Sequence, residues 1–158
     1  MRLRKLTAVA AVTGLLCVLS SCSAIGGITD MLDDGKVTAV SLTAGDCIVS
    51  SDLGESFDKV PRVECTEPHD AEVVSVFKMP NGDFDEEAMD DAALVTCFAD
   101  ADSYLGGDYS AITSEGLEVI YFTPSSQSWA AGDHEVTCLV ATVSQENELT
   151  SSVKGMGA

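Results

Sequence analysis

Apolar residues follow two rhythms along this chain. Near the start they run almost unbroken from Leu6 to Leu19, directly after Arg2-Leu3-Arg4-Lys5. Further on they recur in short runs: Val37 to Leu42, Cys47-Ile48-Val49, Val60 to Cys65, Glu72 to Phe77, Leu117 to Phe122 and Val136 to Val143. Period-two alternation of this kind predicts half-buried strands. Thr43-Ala44-Gly45-Asp46 predicts a turn after the first of them. Pro61 has no amide hydrogen, so its strand is expected at a sheet edge or to start there.

One segment has helical spacing. From Asp85 to Leu105, the residues Leu94, Phe98, Ala101 and Leu105 fall on one face. Asp83 or Asp85 supplies an N-cap, and Glu86 and Glu87 sit in the first turn, where the helix dipole favours negative charge. Gly106-Gly107 ends the helix. Strands interrupted by one main helix predict an α+β fold, an antiparallel sheet of about five strands packed against that helix.

The first apolar run is about 14 residues, short of the ~20 needed to span a bilayer. A basic start, an apolar stretch and then small residues read as an export signal. Leu19-Ser20-Ser21-Cys22 resembles the lipobox of bacterial lipoproteins. That resemblance implies residues 1–21 as a lipoprotein signal peptide, lipid on the Cys22 thiol, and anchoring on the outer, extracytoplasmic face of the cell membrane. Cys17 follows Leu16 rather than a small residue and leaves with the signal. Residues 22–36, with Gly26-Gly27 and Asp33-Asp34-Gly35, read as a flexible acidic tether of roughly 20 Å reach. Residues 37–144 make the folded domain, and the polar residues 145–158 read as a loose tail.

Charge narrows the partners. Of 8 Lys and Arg, Arg2, Arg4 and Lys5 lie in the signal, so 5 face 26 Asp and Glu, a formal −21. Nucleic acid is excluded as a partner, because its affinity comes from cations neutralising phosphates. The folded part is also repelled by an anionic leaflet, leaving the lipid to hold it.

Four cysteines remain in the domain: Cys47, Cys65, Cys97 and Cys138. An even number in an exported chain reads as two disulfides, and four cysteines allow three pairings. Cys47–Cys65 with Cys97–Cys138 is favoured, because the first pair flanks one hairpin-like stretch. Spacings of 18, 32 and 41 offer none of the close pairs of a zinc site.

The richest polar cluster is Pro68-His69-Asp70-Ala71-Glu72. His69 there is either a general base oriented by Asp70 or Glu72, or part of a turn bonding nearby backbone. His69 and His134 could share a metal only if folding brings them together, since their spacing carries no signature. The run Asp83, Asp85, Glu86, Glu87, Asp90, Asp91 lacks the alternating order of a calcium loop and reads as a solvated helix start. Trp129 is either a packing residue with its N–H bonded or a stacking surface for a ligand. The chain has no Gly-x-Ser-x-Gly, Gly-x-Gly-x-x-Gly or phosphate loop, so neither an enzyme nor a bound cofactor or metal is expected.

Several of these residues form an ordered set. Gly45-Asp46-Cys47 is followed by Val63-Glu64-Cys65-Thr66-Glu67-Pro68-His69-Asp70-Ala71-Glu72-Val73-Val74, then Cys97, then Trp129-x-x-Gly132-Asp133 leading to Cys138. The set resembles the septum formation domain of exported actinobacterial proteins, over roughly Leu42 to Val143. His134 stands where that family's pattern has an arginine. The resemblance implies an extracytoplasmic, disulfide-bonded module with a link to cell division. The expectation is a non-catalytic binding module that contacts an envelope or division protein. The alternative is a small-ligand or cation-binding lipoprotein using the acidic surface or the His69 region.

Overall fold

The computed structural model of the chain describes residues 36–37, 41–50, 59–107, 113, 116–144 and 148–158. The expected signal, Cys22 and nearly all of the expected tether lie outside them. The elements are β1 (Lys36–Val37), β2 (Cys47–Ile48), β3 (Val60–Val63), β4 (Ala71–Lys78), α1 (Glu86–Leu105), β5 (Leu117–Phe122), α2 (Ser126–Ala130) and β6 (Glu135–Thr142). Every strand pairing is antiparallel, in the order β1-β3-β2-β4-β6-β5. β1 adds only two residues to the rim, so the body is a curled five-stranded sheet against one main helix, the α+β class expected.

The strands fall where the alternation puts them, apart from the first. Ser41 lies in a short turn and Leu42 outside any strand, so the run expected to Leu42 is not continuous. Pro61 pairs with Lys36 of β1, one short strand in from the edge. α2 is a five-residue helix that the alternation does not announce; Ser125 caps it by accepting from the Ser128 amide at 3.1 Å.

β4 and β6 form the long central pair, and a bulge between Val73 and Ser75 shifts their register. The extra residue lets β4 change phase while remaining buried on both sides. Val74 and Phe77, three apart, both face the helix, with Cys97, Ala101, Leu105, Val136, Cys138 and Val140. Val73 and Val76 face the opposite side, with Leu42, Ile48, Val60, Leu139 and Ala141.

α1 starts and stops as expected. Asp85 caps it by accepting from the Ala88 amide at 3.0 Å, and Gly106 closes it in the left-handed region at φ 73°. Its inner face keeps Ala101 and Leu105 of the expected set but not Leu94 and Phe98. Met89, Ala93, Cys97, Ala101 and Leu105 are buried, every fourth residue, whereas Leu94 is 48% exposed and Phe98 only half-buried. Small side chains at 93, 97 and 101 let the helix axis approach the sheet, which bulkier residues would prevent. The Cys97–Cys138 disulfide then joins that face to β6, with Cα atoms 5.1 Å apart. Cys47–Cys65 ties the start of β2 to the loop after β3, with Cα atoms 5.2 Å apart. Both are ordinary disulfide separations.

The expected loose tail over 145–158 is corrected for residues 148–158, which dock on the domain. Leu149 forms a bridge with His69, and Val153 is 1% exposed within the helix-side core. The cause lies at the end of α1, whose last carbonyls need donors. Gly155 N–H donates to Tyr104 O at 3.0 Å and Gly157 N–H to Leu105 O at 2.8 Å. Gly157 lies so close to Gly107 that a Cβ there would meet the Gly107 Cα at 3.1 Å.

Candidate functional site

Pro68-His69-Asp70-Ala71-Glu72 forms the corner where the chain enters β4. Its backbone is anchored on three sides. Asp70 N–H donates to Ile48 O at 3.2 Å, Thr142 N–H donates to Asp70 O at 2.9 Å, and His69 exchanges bonds with Leu149 at 3.0 and 2.8 Å. β2, β6 and the C-terminal segment therefore meet at this corner.

The three polar side chains serve different neighbours. His69 is 1% exposed, with Nδ1 2.8 Å from Glu67 O. A carbonyl can only accept, so Nδ1 carries a proton. Nε2, the other ring nitrogen, is buried without a hydrogen-bond partner among the described residues. Of the two readings of His69, the contact seen is that of the turn: its imidazole is held by a backbone carbonyl and not oriented by a carboxylate. Asp70 Oδ1 accepts from the Ser50 amide, fixing the loop after β2.

Glu72 is the centre of the corner. It is 0% exposed, and Oε1 accepts from Tyr104 Oη–H at 2.6 Å and Ser152 Oγ–H at 2.7 Å. Oε2 accepts from Val153 N–H at 2.7 Å. Bonds to a buried carboxylate are charge-assisted and stronger than neutral ones. Burial pushes the Tyr104 hydroxyl up to about 12 from its ordinary 10.0, with the hydrogen bond to Glu72 and its charge adding to the rise. Lys154 Nζ sits 5.4 Å from the centre of the Tyr104 ring, within cation–π range. Sequence reasoning missed Tyr104, Ser152 and Val153. The available signal was faint: an aromatic in the last helical turn, and Leu149 and Val153 four apart in an otherwise polar tail.

The sulfurs of Cys47 and Cys65 lie within 4.8 Å of a Glu72 carboxylate oxygen, the separation of a metal ligand set. Both sulfurs are bonded to each other, so neither offers a thiolate.

Trp129 belongs to the other end of β4. Its Nε1–H donates to Gly82 O at 3.0 Å, its ring stacks on His134 at 4.0 Å and 14°, and Phe84 meets it edge-on at 6.2 Å. His134 O accepts from Met79 N–H at 2.9 Å, just past the last residue of β4. A strand of that length separates the two ends by roughly 25 Å. His69 and His134 therefore cannot share a metal, and Trp129 already has a stacking partner. Of the expected acidic cluster, Asp85 is engaged as the α1 cap.

The curled sheet, the disulfide-stapled helix and the Pro-His-Asp-x-Glu corner define a small cross-linked α+β domain. A family model described as septum formation matches residues 14–138, and the chain belongs to that family. No curated protein and no solved structure matches the chain. The family match contains His69, Asp70, Glu72 and Tyr104 and ends at Cys138, before Leu149, Ser152 and Val153.

Proposed function

We propose that this chain is a lipid-anchored, extracytoplasmic lipoprotein that acts as a non-catalytic binding module in cell division or the envelope. Membership in the septum formation family carries the link to division and envelope. The observation that supports binding over catalysis is the use of the polar corner. His69 is buried, Asp70 holds a loop amide and Glu72 holds Tyr104, Ser152 and Val153. A general base needs a reach to substrate of about 3 Å, directly or through one water, and these groups face inward. The anchor rests on the Leu-Ser-Ser-Cys22 resemblance, and two disulfides suit an oxidising compartment. With the signal removed, a formal charge of −21 steers the module towards neutral or basic partners.

Crosslinking the full chain in living cells, followed by affinity purification, should recover the same division or envelope protein in repeated experiments. Recovery of unrelated neighbours alone would overturn the binding role. Cys22→Ala should move the protein from the membrane fraction into the soluble or secreted fraction, and retention in the membrane would overturn the anchor.

A further inference from the structure

We propose that Leu149 to Lys154 is a built-in pseudo-ligand. It occupies a groove that takes an extended segment of a partner protein carrying a hydroxyl residue, a branched aliphatic residue and a cation in succession.

Each feature of the segment meets its own reader. Leu149 joins the backbone of His69 through a two-bond antiparallel bridge, the way an added peptide extends a sheet edge. Ser152 Oγ–H and Val153 N–H are read together by the two oxygens of Glu72. The Val153 side chain fills an apolar socket among core residues that include Val74, Cys97, Leu105 and Val140. Lys154 lies over the Tyr104 ring. Backbone pairing, a carboxylate for a hydroxyl and an amide, a socket for one aliphatic side chain and a ring for a cation make a recognition set. Thr150 and Ser151, between the bridge and the clamp, are exposed or half-exposed.

Two observations bear on the segment. The residues that read it, His69, Glu72 and Tyr104, lie within the family match, while the segment lies beyond its end at Cys138 in β6. At the same corner His69 Nε2 is buried and unpartnered among the described residues, a polar atom the chain's own segment leaves unused. Charge selects between occupants. Two mature copies at −21 each repel one another, while a partner segment with a cation is attracted. The inference rests on the binding-module reading for its role in the cell, but the groove is tested apart from it.

The test uses the full chain, with Val153→Asp to expel the segment, and a fluorescent peptide copying Glu148 to Lys154. An occupied groove lowers apparent affinity by the fraction that is open, so Val153→Asp should bind the peptide about tenfold or more tighter than wild type, read by fluorescence anisotropy. A peptide with aspartate in place of the valine should not bind. A milder double variant, Ser152→Ala with Lys154→Glu, weakens the clamp without a charge in the socket and should also bind the peptide more tightly than wild type. A folded Val153→Asp protein that ignores the peptide overturns the proposal. So does unfolding of Val153→Asp together with unchanged peptide affinity in the double variant, because the segment is then an integral part of the core. A wild-type dimer that the peptide dissociates assigns the groove to a second copy and overturns the partner segment. A chain that binds the peptide yet recovers no envelope protein in cells keeps the groove and loses the cellular role.

Discussion

Replacing Glu72 separates two views of the buried corner. Glu72→Leu fills similar space but removes both acceptor oxygens. Taking a lone carboxylate out of the interior also recovers its desolvation cost, several kcal/mol, so the sign depends on what is stranded. Tyr104 is half-buried and its hydroxyl can turn to water. Val153 N–H cannot, because that residue is buried, whereas Ser152 is exposed and its hydroxyl can. Each buried donor left unpaired costs about 1–3 kcal/mol. The chain escapes that penalty by undocking residues 148–158, which then exposes Val153 at about 1.5–3 kcal/mol. Either route costs about 1–3 kcal/mol, against which the recovered desolvation counts, so amide exchange in the segment rather than net stability separates the variants. Glu72→Gln keeps one oxygen for Val153 N–H and turns its NH2 towards two hydroxyls that can rotate to accept. Neutral bonds are roughly half as strong as charge-assisted ones, so this change should cost about 1 kcal/mol. Urea denaturation gives both values, and amide exchange at Val153 and Gly157 reports the segment directly. Exchange at both amides should accelerate far more in Glu72→Leu than in Glu72→Gln. Equal exchange at these amides in the two variants, or a Leu variant whose amides stay protected, would refute the clamp.

Other consequences can be measured on the same domain. Removing Cys97–Cys138 by paired alanine substitutions should cost about 4 kcal/mol and removing Cys47–Cys65 about 3 on the loop-closure argument, with thermal melts giving that order; the reverse order would contradict it. Tyr104 is neutral in the fold up to about pH 12 but ionises near 10.0 when unfolded. Its contribution is therefore complete below pH 10 and lost as pH rises towards 12, so Tyr104→Phe should flatten the fall in stability over that window, with an unchanged slope counting against the assignment. On α1, Leu94→Asp should shift stability by less than about 0.5 kcal/mol. Ala93→Leu should lose about 1–3 by overpacking against the sheet, and the opposite ranking would restore the face expected from the sequence.

What the sequence disclosed was whatever is written locally. Period-two runs located β3 to β6 within a residue or two, and Asp85 and Gly106 marked both ends of α1. The disulfide pairing was favoured because Cys47 and Cys65 flank one hairpin-like stretch, and the structure has that pairing. Of the buried face of α1, Ala101 and Leu105 follow from the spacing, but the residues next to them on the sheet side are small, so bulky Leu94 stands out in the sequence where Ala93 is buried. Residues 148–158 looked loose because their composition is polar, while their docking depends on one valine and a row of backbone amides. The role of Glu72 could not be read at all, since its partners lie 32, 80 and 81 residues away. The function of a buried carboxylate is set by what folds onto it, and only the folded chain shows that.

The two cross-links also decide how the domain responds to mechanical load. A protein tethered at one end and gripped at the other is pulled along its chain. The short β1–β3 ladder, two residue pairs long, offers the least resistance and should peel first. Beyond that, Cys47–Cys65 and Cys97–Cys138 exclude 18- and 41-residue stretches from extension. At about 3.4 Å per residue that is roughly 200 Å of chain that cannot be drawn out while the sulfur bonds hold. Under tension the domain would thus yield at its rim while its centre stays closed.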